Sequence, residues 1–519
     1  MSGEQKWRYF QMLVACGFKE IEVAFPSASQ MEFDFVRRLI ETPGMIPDDV
    51  AVQVLTPCRE ELIKRTVDSV RGAKRAILHL YNATSPCFRQ VVFNNTKEET
   101  IELAVRCTKL VRHLTKDTDP NTHWTFEYSP ETFSATELDF SVEICEAVKK
   151  VWEPTVDNPI VFNLPATVEM STPNVYADQI EYFCTRISER EKCCISLHPH
   201  NDRGCATAAA ELAQMGGADR VEGVLFGNGE RTGNVDIVTL ALNLYSQGVK
   251  PGLDFSNLAA IQRVVTECNN IPIHPRHPYA GELVFTAFSG SHQDAIKKGF
   301  AVQRARQDGI WDVPYLPIDP KDLGATYEAV IRVNSQSGKG GVAWIIQEKL
   351  DLDLPRRLQI AFSRIVQSIA EEKRRELTAQ EIVTAFTNSY ISPKATFQLG
   401  NEYKVRTSPS GKSFEGVVVH RGAKIALKGD GNGPVSSLID ALGKYTGVQI
   451  DVRELVEHAI GKGKGARAAA YIEVTAASHG EKGFWGVGID EDTVCPERLH
   501  LIIVCCTYEG SPFGAEQCG

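Results

Sequence analysis

Ser196-Leu-His198-Pro-His200-Asn-Asp-Arg-Gly204, followed further on by Gly227-Asn-Gly-Glu230-Arg-Thr-Gly-Asn234, is the stretch on which the reading of this chain turns. Before it, Cys193-Cys194-Ile195-Ser196-Leu197 is a short apolar run with a β-branched residue. The Asn-Asp-Arg-Gly after it is loop chemistry, so the pattern predicts a strand that ends at the two histidines and a helix from about residue 205. Strand side chains two apart share a face, so both imidazoles can reach one divalent ion. A His-x-His pair by itself equally fits a solvated loop. The second segment adds weight: Asp219-Arg-Val-Glu-Gly-Val-Leu-Phe226 predicts another short strand, and Glu230 and Asn234 in its Gly-rich turn offer oxygen ligands or acceptors behind them. Two consecutive strand ends carrying polar groups point to a barrel mouth.

Upstream, the pattern alternates. Helical spacing over 3–16 leads to a strand at Glu20-Ile-Glu-Val-Ala-Phe25, and a helix over 31–40 leads to Val50-Ala-Val-Gln-Val-Leu55. The unit repeats through strands at 76–80, 124–128, 160–164, the His198 run and the Val221 run, each preceded by a helix, with a last helix over 235–247. Such alternation means βαβ units and a parallel sheet. Seven strands are found and the chain opens on a helix, which fits an open doubly wound sheet or an eight-stranded barrel without its first strand. Polar residues decide for the barrel, because they recur at strand ends: His79, Glu127 with Ser129 and Glu131, Asn163 with Thr167, His198 with His200, and Glu230 with Asn234. A barrel's catalytic face is ringed in this way, whereas an open sheet concentrates its site at one switch point.

Composition excludes several classes. The 519 residues are 43% hydrophobic and 24% charged, ordinary for a globular protein with room for two or three domains. A net charge of −10 without a basic block argues against nucleic acid and anionic membrane as partners. The 14 cysteines form no Cys-x-x-Cys, so neither a zinc ribbon nor a disulfide scaffold is indicated and a reducing compartment is expected. No apolar run is long enough for a membrane span.

Beyond Gln247 the pattern changes. Residues 251–270 read as a helical connection, and Ile271-Pro-Ile-His-Pro-Arg-His-Pro-Tyr279 is too rich in proline for a regular element. Gly338-Lys-Gly-Gly341 lacks phosphate-loop spacing, and Gly227-x-Gly-x-x-x-Gly233 misses the dinucleotide spacing by one residue. Charged helices are expected over 354–376 and 378–387. Strands follow at 416–420, 424–428, 448–452, 468–474 and 484–489, with a helix opened by Pro434. The tail 491–519 has no helical polar face.

The runs Phe126-Glu-Tyr-Ser-Pro-Glu131, Asn163-Leu-Pro-Ala-Thr167-Val-Glu-Met170, Ser196 to Arg203, Gly227 to Asn234 and Thr286-Ala-Phe-Ser-Gly-Ser-His-Gln-Asp294 together resemble the 2-isopropylmalate synthase family, long form, of the DRE-TIM metallolyase superfamily. The resemblance spans roughly residues 1 to 490. It implies an α/β fold: a (β/α)8 TIM barrel with its first strand missing over 1–250, helical linker subdomains over 251–390, and an α+β leucine-binding regulatory domain over 396–490. It also implies an acyltransferase that condenses acetyl-CoA with 3-methyl-2-oxobutanoate in a Claisen-type step, as a homodimer inhibited by leucine. Homocitrate or citramalate synthase is the alternative within the class, and a non-catalytic metal- or leucine-binding homologue the alternative outside it. The implied metal ligands are His198, His200 and Asn234, with zinc, manganese or magnesium as the ion. A further Asp ligand, in the family's Arg-Asp-Gly-Asn-Gln motif on the first strand, is absent, and the sequence begins just downstream of where that motif would stand. The implied catalytic residues are Glu131, His292 and Tyr315; the implied substrate-binding residues are His79, Ser129, Thr167 and Glu230. Each has a plainer alternative: His79 as a core histidine, Thr167 as a strand stop, Glu131 as a helix cap, His292 as a helix start. The regulatory residues implied are His458, Ala459, Gly465 and Ala468, in a region that otherwise reads as a dimerisation module. The compartment expected is cytoplasmic or mitochondrial, with no targeting region in the residues given.

Overall fold

A computed structural model describes residues 1–287, 289–325, 339–373, 375–391, 397–408, 411–420, 422–460, 467–476 and 483–490. Gly465 and the tail 491–519 lie outside the described residues. The chain divides into two compact units, one formed by Met1–Phe285 with Ile318–Thr326, the other by Thr286–Pro317 with the residues from Tyr327.

The first unit opens on α1 (Gly3–Cys16), capped reciprocally by Ser2 and Gln5 and ended by Gly17 in the left-handed region. Strands and helices then alternate: β1 (Glu20–Ala24), α2 (Gln30–Glu41), β2 (Ala51–Pro57), α3 (Glu60–Ser69), β3 (Arg75–Ala83), α4 (Lys97–Leu114), β4 (His123–Glu131) and α5 (Leu138–Trp152). The series continues with β5 (Ile160–Ala166), α6 (Pro173–Arg186), β6 (Cys193–Pro199), α7 (Ala206–Met215), β7 (Arg220–Val221), α8 (Ile237–Ser246) and α9 (Leu258–Asn269). The seven strands form one parallel sheet in sequence order. The sheet curls round, because Arg220 on β7 bonds side chains of β1 and β2, Glu20 and Gln53. Among the described residues β1 and β7 share no backbone pairing, which agrees with the expectation of a barrel short of one strand.

Strand parity sorts the side chains. Leu78 and Leu80 of β3, Phe126 and Tyr128 of β4, Phe162 and Leu164 of β5, and Ile195 and Leu197 of β6 pack with Ile63, Ala104, Val111, Ile144, Trp152 and Phe183 of the surrounding helices. Each such side chain contributes about 1.5–3 kcal/mol by leaving water. The alternate positions carry Gln53, His79, Glu127, Ser129, Asn163, Ser196, His198 and Arg220, so the barrel interior is polar. The seventh strand is shorter than the expected run over 219–226. Gly223 lies so close to Val235 that a Cβ would overlap it. Val224 then bridges to Asp236, which draws the chain out of the sheet toward the Asn234 turn.

In the second unit, α10 (Gly290–Ala305), α11 (Lys339–Leu350), α12 (Arg356–Lys373) and α13 (Ala379–Phe386) precede a three-stranded antiparallel sheet. That sheet comprises β8 (Phe397–Ser408), β9 (Gly411–His420) and β10 (Ala423–Gly431). After α14 (Pro434–Thr446), β11 (Ile450–Ile460), β12 (Arg467–Ala476) and β13 (Gly483–Asp490) make a second one. Phe414, Val418, Leu427, Leu438, Leu442, Ile472 and Val474 form a core shared by α14 and both sheets. Helix α11 escapes a periodicity search because Val342-Ala-Trp-Ile-Ile346 is buried on every side, leaving no polar stripe.

Candidate metal centre and the polar barrel mouth

His198 leaves the end of β6 and His200 follows two residues on, bridged to Asn234. Their rings stack with centroids 5.4 Å apart. The Asn234 amide nitrogen lies 3.1 Å from His198 Nε2 and 3.5 Å from His200 Nε2. Turning the amide exchanges its two heteroatoms and brings Oδ1 to the same point. Two imidazole nitrogens and an amide oxygen then converge, a donor set that fits a divalent ion such as zinc or manganese. The turn that carries Asn234 needs its glycines. Gly233 has φ +101, and a Cβ on Gly229 would overlap Asn234 Oδ1.

Behind His198 the barrel is filled by ions and hydrogen bonds. Glu222 Oε2 lies 3.0 Å from His198 Nδ1. Arg220 donates to Glu222 (2.6 Å), Glu127 (3.2 Å), Glu20 (2.6 Å), Ser196 (3.0 Å) and Gln53 (2.9 Å). His79 lies between Glu22 at Nδ1 (2.8 Å) and Ser129 at Nε2 (2.6 Å), and Asn163 Nδ2 donates to Ser129 Oγ at 2.9 Å. Burial, reinforced by the neighbouring Glu222, pushes the Glu127 carboxyl well up. Glu222 moves the other way: burial opposes its ionisation, but Arg220 and the hydrogen bond with His198 hold it well below the usual carboxylate range. His200 is pushed down to about 4 by burial, helped by His198 and Arg231.

His79, Glu127 and Glu222 also place ligand-type atoms within 4.8 Å of one another. The Arg220 guanidinium already supplies positive charge between Glu127 and Glu222. A cleft of about 700 Å³ runs along the open seam, lined by Glu22, Gln53, His198, Arg220, Glu222 and Asn234 among others.

Ser129 is fixed between His79 and Asn163. Thr167 Oγ1 accepts the Thr132 N–H at 2.9 Å, and the Thr167 carbonyl accepts from Arg231, which also holds Asp202 at 2.8 Å. Burial raises the Glu131 carboxyl, with Glu230 adding to the rise. The cap at the start of α5 is Glu137 and not Glu131. Glu230 itself is 84% exposed. His79 is no plain core histidine, since its partners are side chains of the site. His292 and Tyr315 belong to the second unit and stack on each other at 4.1 Å.

In the same unit His458 pairs with Ala469 and Ala459 with Ala468 across β11 and β12, and His458 stacks on Tyr471 at 5.6 Å. Glu22, Gln53, Arg220 and Glu222 were not singled out from the sequence. Their signal is a charged or amide side chain set between apolar neighbours on a strand, as in Val52-Gln53-Val54.

Comparison with known proteins adds independent findings. A family model described as HMGL-like matches residues 1–265. A model for the post-catalytic domain of alpha-isopropylmalate synthase matches 282–347, and one for the LeuA allosteric (dimerisation) domain matches 376–495. The chain is 56% identical over 504 residues to the 2-isopropylmalate synthase of Schizosaccharomyces pombe, covering 95% of this chain and 86% of that protein.

The chain belongs to the 2-isopropylmalate synthase family.

It is 55% identical to the mitochondrial 2-isopropylmalate synthase 2 of Saccharomyces cerevisiae, over 95% of this chain and 83% of that protein. It is 54% identical to the enzyme of Pseudomonas fluorescens, over 95% and 87%. Membership makes the chain an acyltransferase by family, built on the expected barrel and followed by the expected regulatory module. Among the described residues no helix is long and apolar enough to cross a membrane.

Proposed function

We propose that this chain condenses acetyl-CoA with 3-methyl-2-oxobutanoate to give 2-isopropylmalate and CoA. The observation that carries the reading is the convergence of His198 Nε2, His200 Nε2 and the Asn234 amide, with Ser129 linked to His198 through Asn163. His198, His200 and Asn234 would hold a divalent ion, zinc, manganese or magnesium, which when bound polarises the 2-oxo acid and stabilises developing negative charge on its oxygen. Thr167, whose oxygen accepts the Thr132 N–H, keeps a hydroxyl proton to donate to the oxo acid, while Ser129, held between His79 and Asn163, lines the site. Glu131, with its carboxyl raised by burial, takes the proton from the acetyl methyl as the carbon–carbon bond forms. Water then cleaves the thioester. We assign the stacked His292–Tyr315 pair to proton transfer, and Glu230 to the outer rim of the oxo-acid site.

Domain roles follow the same reading: barrel over 1–250, linker over 251–390, and a regulatory module over 396–490 that pairs two chains and takes leucine near His458, Ala459 and Ala468. The test is CoA release by the full chain with added metal and a panel of 2-oxo acids. The expected result is turnover that prefers 3-methyl-2-oxobutanoate and is abolished by His198→Ala. Turnover that ignores His198→Ala, or that prefers another oxo acid, would refute it.

A further inference from the structure

The two histidines of the metal corner are held differently. His198 Nδ1 faces Glu222 Oε2 at 3.0 Å, whereas the buried Nδ1 of His200 has no hydrogen-bond partner among the described residues. Glu222 is itself oriented. Its other oxygen, Oε1, accepts from Arg220 Nη1 at 2.6 Å and from Gln53 Nε2 at 3.0 Å. Both donors sit on one side, so the carboxylate cannot turn without breaking two bonds.

We propose that Glu222 is the positioning residue of the metal corner: it holds the proton of neutral His198 on Nδ1 and thereby presents an unprotonated Nε2 to the ion. The inference rests on the metal reading above. A ligating imidazole binds through a bare nitrogen, and the partner of its other nitrogen decides which one is bare. Arg220 and Gln53 extend the chain of fixation to β2 and β7, so the tautomer of His198 is set by three strands of the barrel. Among the described residues His200, the other histidine of the corner, has no such support at its Nδ1.

The arrangement makes the isosteric variant informative. In Glu222→Gln, Arg220 and Gln53 demand an acceptor at the Oε1 position, so the amide oxygen goes there and the NH2 faces His198. The ring must then accept at Nδ1, and its proton moves to Nε2, the ligating atom. Volume and packing are unchanged.

The experiment uses the full chain with 15N-labelled histidine. Long-range 1H–15N spectra of the metal-free protein, assigned by loss of the signal in His198→Ala, report the tautomer. Mn2+ titrations followed by electron paramagnetic resonance report affinity. The expected result is Nδ1–H in the native chain, Nε2–H in Glu222→Gln, and a loss of about 10–100-fold in Mn2+ affinity in that variant. A merely structural Glu222 would lower stability without moving the proton.

A native ring protonated on Nε2 overturns the proposal on its own, whether or not the variant folds. So does a Glu222→Gln chain that keeps the native tautomer and affinity while His198→Ala loses Mn2+. If the proton moves as expected but His198→Ala binds Mn2+ as well as the native chain, it is the metal reading that fails, and the ligand-presenting role falls with it.

Discussion

Replacing Arg220 by methionine tests whether the ion cluster is what holds the barrel interior together. Methionine fills much of the same space and removes five donated hydrogen bonds at once. Adding their separate values would overshoot, because the stranded carboxylates can take up protons. Glu20 is 43% exposed and recovers water, and burial already pushes the Glu127 carboxyl up, which eases its uptake of a proton. The cost therefore falls on Glu222, 13% exposed, which must become protonated inside the barrel. Moving that group from its ordinary 4.5 to a neutral state at pH 7 costs about 3.4 kcal/mol, at about 1.36 kcal/mol per unit. This agrees with the roughly 3–5 kcal/mol seen when one partner of a buried ion pair is removed. In the variant the folded state holds a proton that the unfolded state lacks, so the deficit shrinks by about 1.4 kcal/mol per unit as pH falls from 7. Amide hydrogen exchange in β4 and β5 of the full chain reads the opening free energy of this unit. A deficit below about 1 kcal/mol at pH 7, or one that stays constant down to pH 5.5, would show that the cluster does not work in this way.

Three further outcomes are expected. Gly229→Ala should displace the Asn234 amide and weaken Mn2+ binding at least about tenfold; unchanged binding would remove Asn234 from the ligand set. Glu131→Gln should lower the rate of CoA release by about 10²–10⁴-fold with little change in KM, while Glu230→Ala, at an exposed position, stays within a few-fold of the native rate; the reverse order would exchange their roles. Glu137, held down to about 2 by Arg89, contributes stability that is fully present above its ordinary 4.5 and lost as pH falls through 2. Discounted for its 41% exposure, the pair is worth about 1 kcal/mol, so melting curves of the native chain and Glu137→Gln should differ at pH 6 and converge near pH 2.

The sequence was most legible where chemistry and periodicity coincide. The His198–His200 pair ends an apolar run, which put both rings on one strand end, whereas Asn234 was chosen over Glu230 as a ligand only through the family resemblance. The strand count and the gap beside β1 were equally visible, because apolar runs alternate with helical spacing throughout the first 250 residues. What stayed hidden is the layer beneath. Glu22, Gln53, Arg220 and Glu222 come from three strands far apart in sequence, and only the curl of the sheet makes them neighbours. The extent of β7 was overestimated because close approach of Gly223 to Val235 is a tertiary fact. Helix α11 left no trace in the polarity pattern because its exposed polar residues Gln347, Glu348 and Lys349 gather at one end, after the buried run Val342–Ile346.

Among the described residues the seam between β1 and β7 has no backbone pairing, and unpaired strand edges are the ordinary starting point for chain-to-chain stacking into aggregates. Here the seam is not bare. The ion pair between Arg220 and Glu20 spans it at 2.6 Å, a charged latch that a foreign strand would have to break and desolvate before pairing. Salt loosens such a latch more than it weakens the apolar core. Light scattering of the purified chain should therefore rise with ionic strength, and the storage buffer, as much as the fold, sets how long the protein stays dispersed.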